Sequence, residues 1–75
     1  MMNKVIFDYR KLRGRIIELY GSQSAFVKAF GSSENTFSRK LNNKIRFSVD
    51  DIILMMRLLK IQICDIGDYF FTIRV

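Results

Sequence analysis

The sequence predicts one all-α domain of five helices, in which the second and third helices form a helix-turn-helix. The chain has 75 residues, which suits one domain (1-75) with a single core. Residues 21–43 read as two short amphipathic segments joined by a glycine, and a capping signal at Ser48 precedes a strongly apolar segment. Short extended segments are expected at the termini.

The first predicted helix follows Asp8 and ends near Tyr20. Asp8 suits an N-cap, and Gly21 suits the left-handed residue that often ends a helix. Apolar residues recur at helical spacing, namely Tyr9, Leu12, Ile16, Leu19 and Tyr20. The basic side of this helix is expected to be a solvated surface, formed by Arg10, Lys11, Arg13 and Arg15.

The second and third helices are short and flank Gly31. Ser22 is the expected cap of a helix from Gln23 to about Phe30, with Phe26, Val27 and Phe30 facing inward. After the turn, Ser32 or Ser33 is expected to cap a helix that ends at Leu41 or Asn42. Phe37 and Leu41 are one turn apart, so this helix is predicted to bury them together.

The fourth helix has the clearest start in the chain. Ser48 and Asp51 form a capping-box pattern, and Phe47 with Ile52 suits a hydrophobic staple. The apolar residues that follow predict a helix central to the core: Ile52, Ile53, Met55, Met56, Leu58 and Leu59. A short fifth helix is expected around Ile63 to Tyr69, and the alternation after Phe71 suggests a short strand or an apolar arm.

The positive charge is concentrated in one half of the chain. The net charge is +6, and residues 1–47 carry ten Lys or Arg against three acidic residues. Residues 48–75 carry three basic and four acidic residues. A lopsided basic half suits a polyanion, because neutralised phosphates release condensed counterions.

Several functional classes are not expected. Histidine is absent and Cys64 is the one cysteine, so neither a zinc site nor a Cys–His nucleophile can form. There is no Gly-rich phosphate loop, and Asp50 and Asp51 are explained by capping, so we expect no enzyme, cofactor or small-molecule substrate. Neither a signal peptide nor an apolar run of roughly 18 residues is visible, which predicts a cytoplasmic protein without a membrane partner.

The helix pair resembles a known family. Gln23, Gly31 and Phe37 match positions in the helix-turn-helix of the Cro and repressor proteins of temperate phages, the lambda-repressor-like superfamily. The wider frame DYRKLRGRI, FSRKLNNK, FSVDDI and YFF is similar to small phage Cro-like proteins over essentially the whole chain. Val27 and Ser32 depart from the usual alanine and apolar residue. The resemblance implies a sequence-specific transcriptional repressor that occupies operator DNA in the bacterial host.

The same resemblance implies which side chains meet DNA bases. Arg39 suits guanine and Asn35 suits adenine, each pair discriminating by about 1–3 kcal/mol. Glu34 suits either cytosine N4 or the positive end of its own helix dipole. The implied base contacts are Ser33, Glu34, Asn35, Ser38, Arg39 and Asn42.

Phosphate contacts are expected beside the recognition helix and at the N-terminus of the helix before it, where free N–H groups attract anions. For Lys40, a phosphate contact and a position on the solvated surface are equally consistent with the sequence. The expected contacts are Ser22, Gln23, Ser24, Thr36, Lys40, Asn43, Lys44 and Arg46.

The alternative to sequence-specific DNA binding is a modulator function. A protein with the same fold would then bind a partner phage repressor. The apolar C-terminus is a candidate interface with a partner or a second copy, through strand addition or hydrophobic packing, unless it closes the domain's own core. Its residues are Tyr69, Phe70, Phe71, Ile73 and Val75. A homodimer, weak or formed on DNA, is the expectation for an operator-binding domain of this kind.

Overall fold

The computed structural model describes residues 5–74 and confirms the all-α prediction. Five α-helices lie in this range: α1 (Arg10–Tyr20), α2 (Gln23–Phe30), α3 (Glu34–Leu41), α4 (Val49–Leu59) and α5 (Ile66–Phe70). A 3-10 helix at Ile63–Asp65 leads into α5, where the sequence predicts one continuous helix. The α2 helix packs against α1, α3 and α4, so the helix pair sits on the rest of the bundle.

Glycine and serine set the boundaries of the helix pair. Gly21 and Gly31 have φ of 82° and 89°, a left-handed conformation that side chains with a Cβ rarely adopt. The Ser22 hydroxyl accepts from the Ala25 N–H at 3.1 Å, so Ser22 caps α2 as predicted. Of the two candidate caps of α3 it is Ser33 that accepts the Thr36 N–H, also at 3.1 Å.

The starts of α1 and α4 differ in kind. The Asp8 carboxylate accepts from the Arg10 N–H at 3.0 Å, but the residue in the N-cap position is Tyr9. At α4 both predicted capping-box bonds form: the Ser48 hydroxyl accepts the Asp51 N–H, and the Asp51 carboxylate accepts the Ser48 N–H, each at 3.0 Å. The clearest sequence signal therefore gives the most completely capped helix start.

The core is built around three phenylalanines. Seven large side chains are essentially inaccessible, namely Phe26, Phe37, Phe70, Leu12, Ile16, Met55 and Leu59. The prediction that α4 is central to the core is right for one side of the helix and wrong for Ile53. Ile52, Met55 and Leu59 face the core, but Ile53 and Leu54 are 46% and 39% exposed because α4 has protein on one side and solvent on the other. Leu19 of α1 is also exposed.

The two ends of the described chain meet in a short antiparallel ribbon, here called the terminal ribbon (6–8 and 72–74). Phe7 and Ile73 form a single β-bridge, flanked by bonds from the Asp8 N–H to the Thr72 carbonyl (2.7 Å) and from the Arg74 N–H to the Ile6 carbonyl (2.8 Å). The expected extended segments are thus present as one bridge, and no longer strand forms within residues 5–74.

Among the described residues, no helix has both the length and the apolar composition needed to cross a bilayer.

Candidate functional site

The outward face of α3 is open to solvent, as the sequence predicts for a recognition helix. Most of the expected base-contact residues lie exposed on or beside it, namely Ser33, Glu34, Asn35, Arg39 and Asn42. The sixth, Ser38, is half-buried and accepts a hydrogen bond from Gln23 Nε2 at 3.2 Å. Gln23 and Ser38 therefore join α2 to α3, and their polar groups are partly engaged with each other.

A residue of α1 completes this face, which the sequence analysis missed. Arg13 Nη2 donates to Asn42 Oδ1 at 3.3 Å, across 29 residues of sequence. Arg13 was expected on a solvated basic surface of the first helix, without a direct part in the helix pair. Instead its guanidinium lies at the C-terminal end of α3, where a cation interacts favourably with the helix dipole. Helical periodicity places Arg13 on a face of α1 but does not reveal what that face meets.

Lys40 is held inside the fold. Its ammonium lies 2.7 Å from Asp51 Oδ2, and the two side chains are only 16% and 20% exposed. Partial burial favours the neutral form of Asp51, but hydrogen bonds from Lys40 and from the Ser48 N–H outweigh it and lower the pKa of Asp51. Lys40, expected at a DNA phosphate or in solvent, instead ties α3 to the start of α4.

Asn43 and Arg46 also differ from their expected role at phosphates. Asn43 is 6% exposed, adopts a left-handed φ of 63°, and pairs with the backbone of Phe7: its Oδ1 accepts the Phe7 N–H at 2.8 Å and its Nδ2 donates to the Phe7 carbonyl at 3.0 Å. Arg46 donates to Asn43 Oδ1 and to the Val5 carbonyl, and its guanidinium lies 4.8 Å from the Phe7 ring centroid. Both residues hold the terminal ribbon.

The remaining phosphate candidates keep accessible groups. Ser22 and Ser24 are exposed at the start of α2, and Lys44 is exposed just beyond α3. Thr36 is half-buried, and its hydroxyl hydrogen-bonds that of Ser33 at 2.9 Å. Contact of any of these residues with DNA stays a prediction.

The C-terminal candidate interface divides into a buried and an exposed part. Phe70 is 1% exposed and closes the core, so it is not available to a partner. Tyr69 is half-buried, with the Lys11 ammonium 4.8 Å from its ring centroid. Phe71 and Ile73 are 49% and 59% exposed, whereas Val75 lies outside the described residues.

A further apolar surface lies on α4, which the sequence analysis assigned to the core. Val49 and Ile53 are one turn apart and exposed, and Ile63 beyond the helix is 77% exposed. With Met56 they form what we call the α4 apolar face (Val49, Ile53, Met56 and Ile63). A groove of about 300 Å³ runs between Ile53, Met56 and Ile63. The helical spacing of Val49, Ile53 and Met56 indicated that these residues share one face of α4. Only the packing of the other helices shows that this face points outward.

Comparison with known proteins decides the family. Residues 5–73 match the family described as "Protein of unknown function (DUF739)". The chain belongs to the DUF739 family. Among solved structures, this DUF739 chain is similar to the solution structure of the modulator of repression (MOR) of the temperate bacteriophage TP901-1 from Lactococcus lactis. The two are 42% identical with a TM-score of 0.78, over 87% of this chain and 88% of that one. Curated proteins gave no match.

These findings correct the resemblance to Cro. The DUF739 chain is similar to a modulator of repression, and nothing in the comparisons identifies it as a Cro-like DNA-binding repressor. The physical reason is that Gln23, Gly31 and Phe37 specify how two helices meet, and that helix pair is compatible with more than one function. Which molecule binds to the surfaces of this helix pair depends on residues other than these three.

Proposed function

We propose that this DUF739 chain binds a phage repressor directly and thereby changes how that repressor occupies its operator, without a catalytic step. The observation that carries the proposal is the 42% identity, extending over most of both chains, to a phage modulator of repression. This is the alternative that the sequence analysis set beside operator binding. The comparison described above does not support the Cro-type interpretation.

The α4 apolar face is the surface that best suits a protein partner. An exposed apolar patch on a small protein commonly marks an interaction site, and fully buried interface centres are rich in such residues. Ile53 and Ile63 border a groove, so a side chain from the partner would be surrounded on several sides. The outward side chains of α3 are polar by comparison, so that helix offers a partner less apolar surface.

The helix that carries this face is firmly fixed. Its N-terminus has the capping box and the Lys40–Asp51 ion pair. Its C-terminal carbonyls accept from α1: Arg15 Nε donates to the Leu59 carbonyl at 2.9 Å and the Tyr20 hydroxyl to the Leu58 carbonyl at 3.1 Å. A pre-ordered surface loses less entropy on binding, which supports α4 as an interface.

Charged residues beside the α4 apolar face limit which partner surfaces are complementary to it. Asp50 and Arg57 are both exposed on α4 and are seven residues apart, which corresponds to about 10 Å along a helix. A repressor surface that fits would be apolar at its centre, with a cation and an anion at a similar separation. Such rim charges mainly select the partner and accelerate association.

Binding to the purified repressor of the phage or prophage that carries this chain tests the proposal. Calorimetry should show association of the two proteins in the absence of DNA. Ile53→Glu should weaken it at least tenfold, since a charge would be buried in the apolar contact. Ile17→Glu is the matched control, because Ile17 is 51% exposed on α1 and lies outside the α4 apolar face. Absence of any association contradicts the function, whereas an equal effect of both variants contradicts only the choice of face.

A further inference from the structure

The solvent side of α4 has a charge near each end and apolar residues between them. Ile53, Leu54 and Arg57 follow Asp50 by three, four and seven residues, so the four side chains share one stripe of the helix. All four are exposed, with Ile53 at 46% and Leu54 at 39%. We call this set the α4 stripe (Asp50, Ile53, Leu54 and Arg57).

The α4 stripe is symmetric about its midpoint. Asp50 and Arg57 lie about 5 Å to either side of the point between Ile53 and Leu54 along the helix axis. A two-fold axis through this point places a second α4 antiparallel to the first, with Asp50 of each copy opposite Arg57 of the other. Ile53 then meets its own counterpart on one side of the contact, and Leu54 does so on the other. Such self-complementarity is what a two-fold symmetric interface requires.

The two charges of the stripe are available to a second copy. Asp51 is paired with Lys40, but the side chains of Asp50 and Arg57 form no hydrogen bond or ion pair within residues 5–74. An antiparallel contact also brings the positive N-terminal end of one α4 near the negative C-terminal end of the other. Charge complementarity therefore favours a second copy of this chain as the occupant of the stripe.

We propose that two copies of the chain pair through the α4 stripe in an antiparallel, two-fold symmetric contact, and that this dimer competes with the repressor. Ile53 belongs both to the stripe and to the α4 apolar face, so a chain within the dimer does not present that face to another protein. The competition rests on the proposed function, whereas the dimer itself does not.

The contact is small, which makes the dimer weak. The 11 residues of α4 span about 16 Å, and one helix pair of that length buries less than the roughly 1,200 Å² at the lower end of standard interfaces. The net charge of +6 also opposes self-association, although physiological salt screens charges that are more than about 8 Å apart. A weak dimer dissociates on dilution, so the supply of monomer depends on the concentration of the chain.

Sedimentation equilibrium at physiological salt tests for the dimer, with the chain alone at about 10 µM to 1 mM. The expected result for the parent is a reversible monomer–dimer equilibrium. Asp50→Lys and Arg57→Glu should each weaken it at least tenfold, because each places two pairs of like charges in the contact. Lys28→Glu is the matched control for Arg57→Glu, since Lys28 is an exposed cation in the last turn of α2, and it should leave the equilibrium unchanged.

A mixture of the two charge variants gives the sharper test. Asp50→Lys and Arg57→Glu in equal amounts should recover the dimer, because opposite charges again face each other at both ends of the contact. The dimer is overturned if the parent stays monomeric up to 1 mM, if Lys28→Glu weakens it as much as Arg57→Glu, or if the mixture does not recover it.

Addition of the repressor separates the dimer from the proposed function. We expect the repressor to dissociate the parent dimer as it binds the chain. A complex that retains the intact dimer would overturn the competition and leave the proposed function standing. A dimer without any repressor complex would contradict the proposed function, and with it the competition, but not the self-association.

Discussion

Lys40 Nζ and Asp51 Oδ2 lie 2.7 Å apart and join α3 to the first turn of α4. The same Asp51 carboxylate accepts the Ser48 N–H, so one side chain serves both a helix cap and an interhelical ion pair. This arrangement links the two surfaces with functional potential, the polar face of α3 and the apolar face of α4. Substitutions at Asp51 and elsewhere in the bundle should therefore change the stability of the fold by measurable amounts.

Asp51→Asn should destabilise the fold by about 1–3 kcal/mol, because it leaves the Lys40 ammonium without its charged partner in a largely buried position. Asp50→Asn is the control, since Asp50 is exposed and takes no part in the capping box. We expect its effect to stay within about 0.5 kcal/mol. Urea unfolding measures both, and equal losses would show that the ion pair contributes nothing beyond helix-dipole charge.

Acid should remove the stability that Asp51 supplies. Its pKa in the folded state is below the ordinary 3.8, so the stabilisation is complete above that value and is lost as the pH falls through the lowered folded pKa. Arg10 lowers the pKa of Asp8 to about 2, so any stabilisation from this exposed ion pair is likewise lost as the pH falls from the ordinary 3.8 through about 2. Urea midpoints followed from neutral pH to about pH 2 should fall less steeply for Asp51→Asn than for the parent. Parallel curves would contradict the assignment.

The two glycines Gly31 and Gly14 should respond oppositely to alanine. At Gly31 the φ of 89° strains any residue with a Cβ, so Gly31→Ala should cost about 1 kcal/mol or more. Gly14 lies within α1, and a Cβ added there would meet nothing within 4 Å, so Gly14→Ala should stabilise by about 0.5–1 kcal/mol. Thermal unfolding of the pair gives the sign of each change, and a stabilising Gly31→Ala would contradict the turn geometry.

Removal of the Asn43 amide should release the terminal ribbon. Asn43→Ala deletes both side-chain bonds to Phe7 and keeps a Cβ at φ of 63°, for an expected loss of about 1–3 kcal/mol. Asn43→Gly deletes the same bonds but relieves the backbone, so it should be less damaging than alanine. Hydrogen exchange at the Phe7 amide should accelerate in both variants. Unchanged exchange would show that the ribbon does not depend on Asn43.

Local signals predicted most of the fold. Gly21, Gly31, Ser22 and the Ser48–Asp51 pair act within one helix turn, and each lies where its short-range chemistry requires. The burial of α4 was harder to predict, because a helix that is apolar on nearly every side contains no information about which side meets the bundle. Ile53 looked like a core residue and is part of the exposed face.

Long-range polar contacts account for the other differences. Lys40, Asn43 and Arg46 have partners 11, 36 and 41 residues away, at Asp51, Phe7 and Val5. Nothing in the spacing of these residues distinguishes an internal partner from a phosphate. The sequence also specified the helix pair without specifying its ligand, which is why the resemblance to Cro led to the right fold and the wrong protein class.

Operator occupancy by the cognate repressor, measured by fluorescence anisotropy of labelled operator DNA at physiological salt, tests the central claim most directly. We predict that the parent chain changes the amount of repressor bound to the operator, that Ile53→Glu does so much less, and that the chain alone leaves the operator free. The contrary result is an operator-specific complex with the chain alone that Arg39→Ala weakens by about 1–3 kcal/mol, with no effect on the repressor.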